Sequence, residues 1–557
     1  MSESRSITRL NTNSVKPASK QRAPLAKYFL GVLLLLAVTW TLTVVAEPVD
    51  LAEPMALLAS KSFSDKSRAV ELIIASGSER AVEILYALRD GQLLVHTADN
   101  AVVIADGSGA TRTLSDAATG LPFARVSDDE LTRISLNNAL RTLLRSGVSR
   151  LQLNHPERGL RLAAVNEVLD RPQAETVELI RGLVIEESDS EIRDVMLATI
   201  AVADLRSDEA ELQLAAVETL RGSLHPAVRA QLTQIAESDG APELTHAAQS
   251  ALGSIESKIK FYSGLETLFF GVSLGSVLVL AAIGLAITFG VMGVINMAHG
   301  ELIMLGAYTT YMIQRLLPQF IDISLLLAIP AAFIVSGLVG ILIERSVIRF
   351  LYGRPLETLL ATFGVSLILQ QLVRTLVSPQ NVPVSNPSWM SGSWEINAVL
   401  SLTLNRLYIL AFCLIVFVGL YFVLRRTALG LQVRAVSQNR AMARAMGVRS
   451  GRVDALTFGL GSGIAGVAGV ALSQLTNVGP NLGQAYIIDS FLVVVFGGVG
   501  NLMGTLVGGL TLGIANKLME PWSGAVLAKI LVLVFIILFI QKRPRGLFPQ
   551  KGRAAEG

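Results

Sequence analysis

The chain has 557 residues, of which 51% are hydrophobic and 16% charged, with a mean hydropathy of +0.53. That is too apolar for an ordinary soluble protein, so a large part of it must sit in lipid. A net charge of +3 gives no global nucleic-acid footprint, and a single cysteine, Cys413, excludes both an intrachain disulfide and a cysteine-built zinc site.

Residues 1–27 are polar and basic, with Arg5, Arg9, Lys16, Lys20, Arg22 and Lys27. The apolar run "YFLGVLLLLAVTWTLTVVA" (Tyr28–Ala46) comes next, and then "EPVD". Residues 1–46 thus read as an export signal with a small-residue cleavage site, or as an uncleaved N-terminal anchor; both send the chain from Glu47 onward across the membrane.

From Glu47 to Lys260 the chain is densely charged and has no span of about 20 apolar residues, so 47–260 reads as an exported soluble domain. "GQLLVHTADNAVVIADGSGATRTL" (Gly91–Leu114) alternates apolar and polar residues around Asp-Asn and Asp-Gly, the pattern of a small β element. Helix-period segments then recur: "RLAAVNEVL", "IRDVMLATIAV", "QLAAVETLRG", "VRAQLTQIAES" and "LTHAAQSALGSI". Ala and Leu at three-to-four spacing predict stacked, HEAT-like helix pairs, with an unrelated helical bundle as the alternative.

Residues 261–557 form the membrane zone, with apolar runs that predict eight or nine transmembrane helices. The segment from Arg425 to Val453 carries seven arginines and no acid, whereas Thr375–Asn405 carries no Lys or Arg. The positive-inside rule puts the first segment in the cytoplasm and the second outside. Counting spans from there places "QKRPRG" inside and Lys260 outside, in agreement with export of 47–260.

Within this zone "VMGVINMAHGELIMLGAY" (Val291–Tyr308) contains Asn296, His299 and Glu301. An acid at bilayer depth marks a functional site by default. The span count, however, sets this stretch near the inner face, where Gly300 turns the chain and Glu301 lies in the first turn of a helix, favoured by the dipole. A re-entrant turn is the alternative, and it would line a polar pathway. Thr362, Ser366 and Gln370 recur at four-residue spacing on one face of a later span, facing a neighbour or a pore. The arginine-rich stretch predicts a short amphipathic helix, Gln432–Met446, ended by Gly447. The glycines of "FGLGSGIAGVAGVALS" and "FGGVGNLMGTLVGG" read as helix-packing faces. The chain has no G-x-x-x-x-G-K-[ST], and the exported domain shows no nucleophile–base motif and no Cys/His cluster with metal spacing. The chain therefore reads as neither an ATPase nor another enzyme, with no metal or cofactor of its own.

"GLAITFGVMGVINMAHGELIMLGAY", the arginine loop with Thr427, Gly430, Arg434, Ala435, Asn439 and Gly447, and "VFGGVGNLMGTLVGG" occur in this order. Together they resemble the membrane subunits of branched-chain amino acid ABC transporters. Met297 in the N-(F/M)-A-H-G-E turn and the exported extension look like the urea-transport branch of that family. The resemblance implies an all-α polytopic permease in the bacterial inner membrane, with residues 47–260 periplasmic and 261–557 as the permease domain. It further implies a second permease subunit, two cytoplasmic ATPases that use the ATP, and a periplasmic solute-binding protein. Gly430, Arg434, Ala435, Asn439 and Gly447 would dock the ATPase; Asn296, His299, Glu301, Thr362, Ser366 and Gln370 would form the solute pathway or gate. The expected solute is small and polar, urea first and a branched-chain amino acid second. A membrane-anchored sensor or scaffold is the reading from a different class.

Overall fold

A computed structural model describes residues 51–78, 80–106, 113–123, 130–238 and 240–549. The signal or anchor expected in residues 1–46 lies outside them. The chain divides into two compact units, Met1–Ile200 and Ala201–Gly557.

The first unit opens with helices α1 (Ala52–Ala59), α2 (Phe63–Ala75) and α3 (Ala81–Arg89). Strands β1 (Leu93–His96), β2 (Val102–Asp106), β3 (Thr113–Asp116) and β4 (Leu131–Arg133) form an antiparallel sheet in the order β3-β2-β1-β4. The expected hairpin is β1–β2, with Val95 opposite Val102, and Asn100 supplies its left-handed residue at φ 58°. Leu58, Ile73, Ile84, Leu85, Leu93, Leu140 and Leu144 make the shared core of helices and sheet. Helix α4 (Asn138–Gln152) starts where Asn137 Oδ1 accepts the Leu140 amide at 2.8 Å. Beyond it, α5 (Arg158–Asp170) and α6 (Ala174–Leu183) bury Val165, Val168 and Ile180 with Ile192 and Met196.

Helices α7 (Ser190–Asp204), α8 (Ala210–Leu220) and α9 (Pro226–Ala236) fall on the expected segments, whereas α6 was not singled out by periodicity. "LTHAAQSALGSI" is not a separate repeat helix. It begins α10 (Pro242–Met292), a single helix of 51 residues. The expected boundary at 260/261 therefore falls inside continuous helix, because the composition changes there while "KIKFYSGLETLFF" contains no proline to end the helical backbone.

The second unit continues with α11 (His299–Leu316), α12 (Ile321–Ser346) and α13 (Pro355–Leu376). A small hairpin, Ser393–Glu395 with Ser401–Thr403, precedes α14 (Leu404–Arg426). Then come α15 (Ala428–Gln438), α16 (Arg440–Ala445), α17 (Ser450–Ser473), α18 (Leu482–Gly497) and α19 (Leu502–Lys542). Among the described residues six helices are long and apolar enough to cross a membrane, fewer than the eight or nine expected. The difference has local causes. Helix α18 has only 16 residues, α11 carries its polar groups at its start, and α19 counts once although Gly524 (φ 76°) breaks it into two legs.

Helix α17 is the centre of this unit, with 20 of its 24 residues buried. Its glycines pack on backbone: a side chain at Gly461 would meet the Gly284 carbonyl of α10 at 2.7 Å, and one at Gly466 the Ala332 carbonyl of α12 at 2.5 Å. Small residues at these crossings let the helices approach to backbone contact, the role expected of them.

Candidate functional site

Helix α10 ends at Met292, capped by Gly293 at φ 65°. The chain then folds back. His299, the first residue of α11, has its Nε2 donating to the Ala281 carbonyl at 2.9 Å. Ala281 precedes Met292 by eleven residues, about 16 Å along the helix. A side chain on Gly284 would also meet the His299 ring, at 2.9 Å, together with Gly461, which itself lies about 16 Å into α17. The turn is thus re-entrant, and α11 starts near the middle of its neighbours. This corrects the reading of "NMAHGE" as a cap near the inner face: Glu301 does lie in the first turn of a helix, but at depth.

Depth changes what the polar groups must do. Asn296, His299 and Glu301 are each 1% exposed or less, as are Thr362 and, within a few percent, Ser366 and Gln370. The two sets meet. Glu301 Oε1 accepts from Ser366 Oγ at 3.0 Å and from Gln370 Nε2 at 2.7 Å. Thr362 Oγ1 accepts the Met297 amide at 3.1 Å and donates to Leu359 O at 3.1 Å. The polar stripe of α13 therefore faces the re-entrant turn, holding its backbone through Thr362 and its carboxylate through Ser366 and Gln370. Asn296 Oδ1 accepts the Ala298 amide at 3.0 Å.

One polar atom on each of the three turn residues has no hydrogen-bond partner among the described residues: Asn296 Nδ2, His299 Nδ1 and Glu301 Oε2. Buried polar atoms normally pair, and an orphan costs about 1–3 kcal/mol. Three such atoms fall within six residues. On the same face of α13, one turn beyond Gln370, Arg374 donates to Asn481 Oδ1 at 2.8 Å. The stripe thus runs from hydroxyl to amide to guanidinium, and neither Arg374 nor Asn481 was singled out by the sequence.

The arginine-rich segment is two helices, where one was expected. Thr427 Oγ1 accepts the Gly430 amide at 3.3 Å to start α15, and Asn439 Oδ1 accepts the Met442 amide at 2.9 Å to start α16. Asn439 is the break because its extended backbone (φ −153°) cannot continue a helix. Gly430 packs against Leu424, Arg434 donates to the Leu424 carbonyl, and Gly447 (φ 85°) ends α16. Four of the five residues expected to dock an ATPase thus shape the element, and Ala435 is exposed on it. Leu431, Met442 and Met446 are also exposed, at 62%, 60% and 78%, apolar side chains on a basic helix pair. Sequence reasoning missed the acid beneath it. Arg440 makes a two-pronged ion pair with the buried Asp454, at 2.8 and 2.9 Å.

Comparison with known proteins covers the membrane part. Residues 267–540 match the model of the family described as "Branched-chain amino acid transport system / permease component". The high-affinity branched-chain amino acid transport system permease protein LivH of Salmonella typhimurium is 33% identical over 297 residues, 52% of this chain and 96% of that protein. LivH of Escherichia coli K12 is 32% identical over 298 residues, with the same two shares. BraD of Pseudomonas aeruginosa, a permease protein of the same description, is 30% identical over 298 residues, again 52% of this chain and 96% of BraD. No solved structure matches the chain. With a relative above 30% identity covered almost from end to end, the chain belongs to the branched-chain amino acid transport system permease family, whose members are multi-pass membrane transport subunits and not enzymes.

Proposed function

We propose that the chain is a permease subunit of an ATP-driven importer of branched-chain amino acids in the bacterial inner membrane. Its relatives LivH and BraD are named as branched-chain amino acid transport system permease proteins, and they favour the solute placed second by the sequence over urea. The observation that carries the reading is the stripe on α13. Ser366 and Gln370 hold the Glu301 carboxylate, whose Oε2 has no partner among the described residues, and the Arg374 guanidinium follows one turn beyond Gln370. A carboxylate held against the middle of a hydrogen-bonding face and a guanidinium one turn further along it suit the ammonium and carboxylate of a zwitterion better than a neutral solute. In this reading Asn296, His299 and Glu301 form a gate at depth, and Thr362, Ser366 and Gln370 fix its shape.

The remaining parts fit the same reading. A second permease subunit completes the pathway, a periplasmic binding protein delivers solute, and cytoplasmic ATPases dock on α15–α16 and supply the ATP chemistry. The exposed Leu431, Met442 and Met446 give an apolar anchor for that docking. Residues 47–260 are periplasmic in this reading, a helical-repeat domain that binds a protein partner. The test compares uptake of labelled leucine and labelled urea in cells with and without the chain. Loss of leucine uptake alone is the expected result; loss of urea uptake alone would replace the solute assignment.

A further inference from the structure

Among the described residues between Arg425 and Arg452, Arg440 is the arginine that forms an ion pair with a buried acid. A loop that only satisfies the positive-inside rule needs no such pair, and burying Asp454 at 1% exposure carries a desolvation cost that only good geometry offsets. The geometry is good. Both guanidinium prongs reach Asp454, and the guanidinium carbon stands 4.7 Å from the centre of the Tyr352 ring. Tyr352 in turn donates its hydroxyl to Glu344 Oε1 of α12 at 3.1 Å. A single side chain therefore joins α16 to α17 through Asp454 and to α12 through Tyr352 and Glu344. Arg444 adds a second tie, its Nε donating to Ser450 Oγ at 2.8 Å.

We propose that the Arg440–Asp454 pair, stacked on Tyr352, is the clamp that passes movement of the arginine-rich helix pair into α17 and from there to the re-entrant turn at Glu301. The proposal rests on the importer reading. A bidentate arginine–carboxylate pair fixes orientation as well as distance, which a lysine or a loop backbone does not. Helix α17 then carries the displacement inward. It crosses α10 at Gly284 and α11 at Gly306, with backbone against backbone, and a side chain at Gly469 would strike Ile303 O and the Ala307 amide. Where backbone lies against backbone at these glycines there is no slack to absorb a shift, so α11 moves with α17. Arg440 and Asp454 are positioning residues here, since neither touches solute.

The test uses the whole importer, with its ATPases, reconstituted in proteoliposomes, and reads leucine imported per ATP hydrolysed. Arg440→Gln and Asp454→Asn are expected to keep the ATPase bound and hydrolysing while that ratio falls at least tenfold. Arg440→Lys keeps the charge but not the fork and is expected to fall between. The exchange Arg440→Asp with Asp454→Arg is expected to recover part of the loss, which a packing role would not produce. An unchanged ratio in both single variants overturns the clamp. So does a loss of ATPase binding in proportion to the loss of uptake. A wild-type complex that hydrolyses ATP without importing leucine overturns the importer reading instead.

Discussion

Glu301 is used unequally by its surroundings: among the described residues one carboxylate oxygen takes two hydrogen bonds and the other takes none. Glu301→Gln keeps an acceptor for Ser366 and Gln370 and removes the charge, so uptake is expected to drop at least tenfold at unchanged protein abundance. Full uptake by this variant would reduce Glu301 to a packing group. Thr362→Val tests the other half of the site. It strips the Met297 amide of its acceptor in a buried turn, which costs about 1–3 kcal/mol and lowers the midpoint of thermal unfolding. In the first unit the side chain of Glu187, 7% exposed, is held below the usual carboxylate range by its hydrogen bonds from Arg161. A depressed folded pKa adds stability in full above the ordinary value of 4.5 and loses it as pH falls through the folded value. Hydrogen exchange in Arg158–Leu183 is therefore expected to be slower in the wild type than in Glu187→Gln at neutral pH, with the gap closing in acid. Polar residues stranded in apolar sequence are legible by their rarity, which is why Asn296, His299, Glu301 and the Thr362 stripe could be named without a structure. Their depth was not legible. The same string satisfies a superficial turn, and the bond that decides, His299 to Ala281, joins residues 18 apart.

Helix type and extent were legible where periodicity or apolar length was strong, as in α5, α8 and α13, and where glycines repeat in α17. Boundaries were less so. The arginine segment has an unbroken helical pattern, yet Asn439 splits it by capping the second helix with its own side chain. Asp454 escaped notice because the run of arginines ends at Arg452 and the acid stands two residues beyond, already on α17. Glycine positions sort in the structure into two kinds that composition cannot separate. Gly466 lies against Ala332 and Ser336, whereas Gly364 and Gly419 have open space where a side chain would go. Gly466→Val is expected to prevent accumulation of folded protein, since overpacking against backbone costs about 1–3 kcal/mol or more. Gly364→Val is expected to leave abundance unchanged. Equal abundance of the two in membranes, measured by fluorescence-detected size exclusion, would overturn the packing role of α17.

For the molecule as a whole, charge placement carries more than span counting does. Among the described residues six helices meet the length and apolarity of a span, and a count of six alone gives the wrong parity as easily as the right one once α11, α18 and the broken α19 are considered. The asymmetry between the arginines of 425–452 and the cation-free stretch up to Asn405 does not depend on that count, because it weighs two connections directly. It predicts that α15–α16 face the cytoplasm and Gln380 the opposite side; counting α10 to α13 as four passes between them then puts Ser238 on the side of Gln380. The lone cysteine makes the prediction easy to check, since Cys413 is buried at 2% exposure and gives little background to a thiol reagent. In a Cys413→Ala background, Gln380→Cys and Ser238→Cys are expected to react with a membrane-impermeant maleimide in cells whose outer barrier alone has been opened. Ser437→Cys, exposed on α15, is expected to react only after the inner membrane is permeabilised as well. Labelling of Ser437→Cys from outside would invert the topology, and with it the face on which an ATPase could meet the arginine-rich pair.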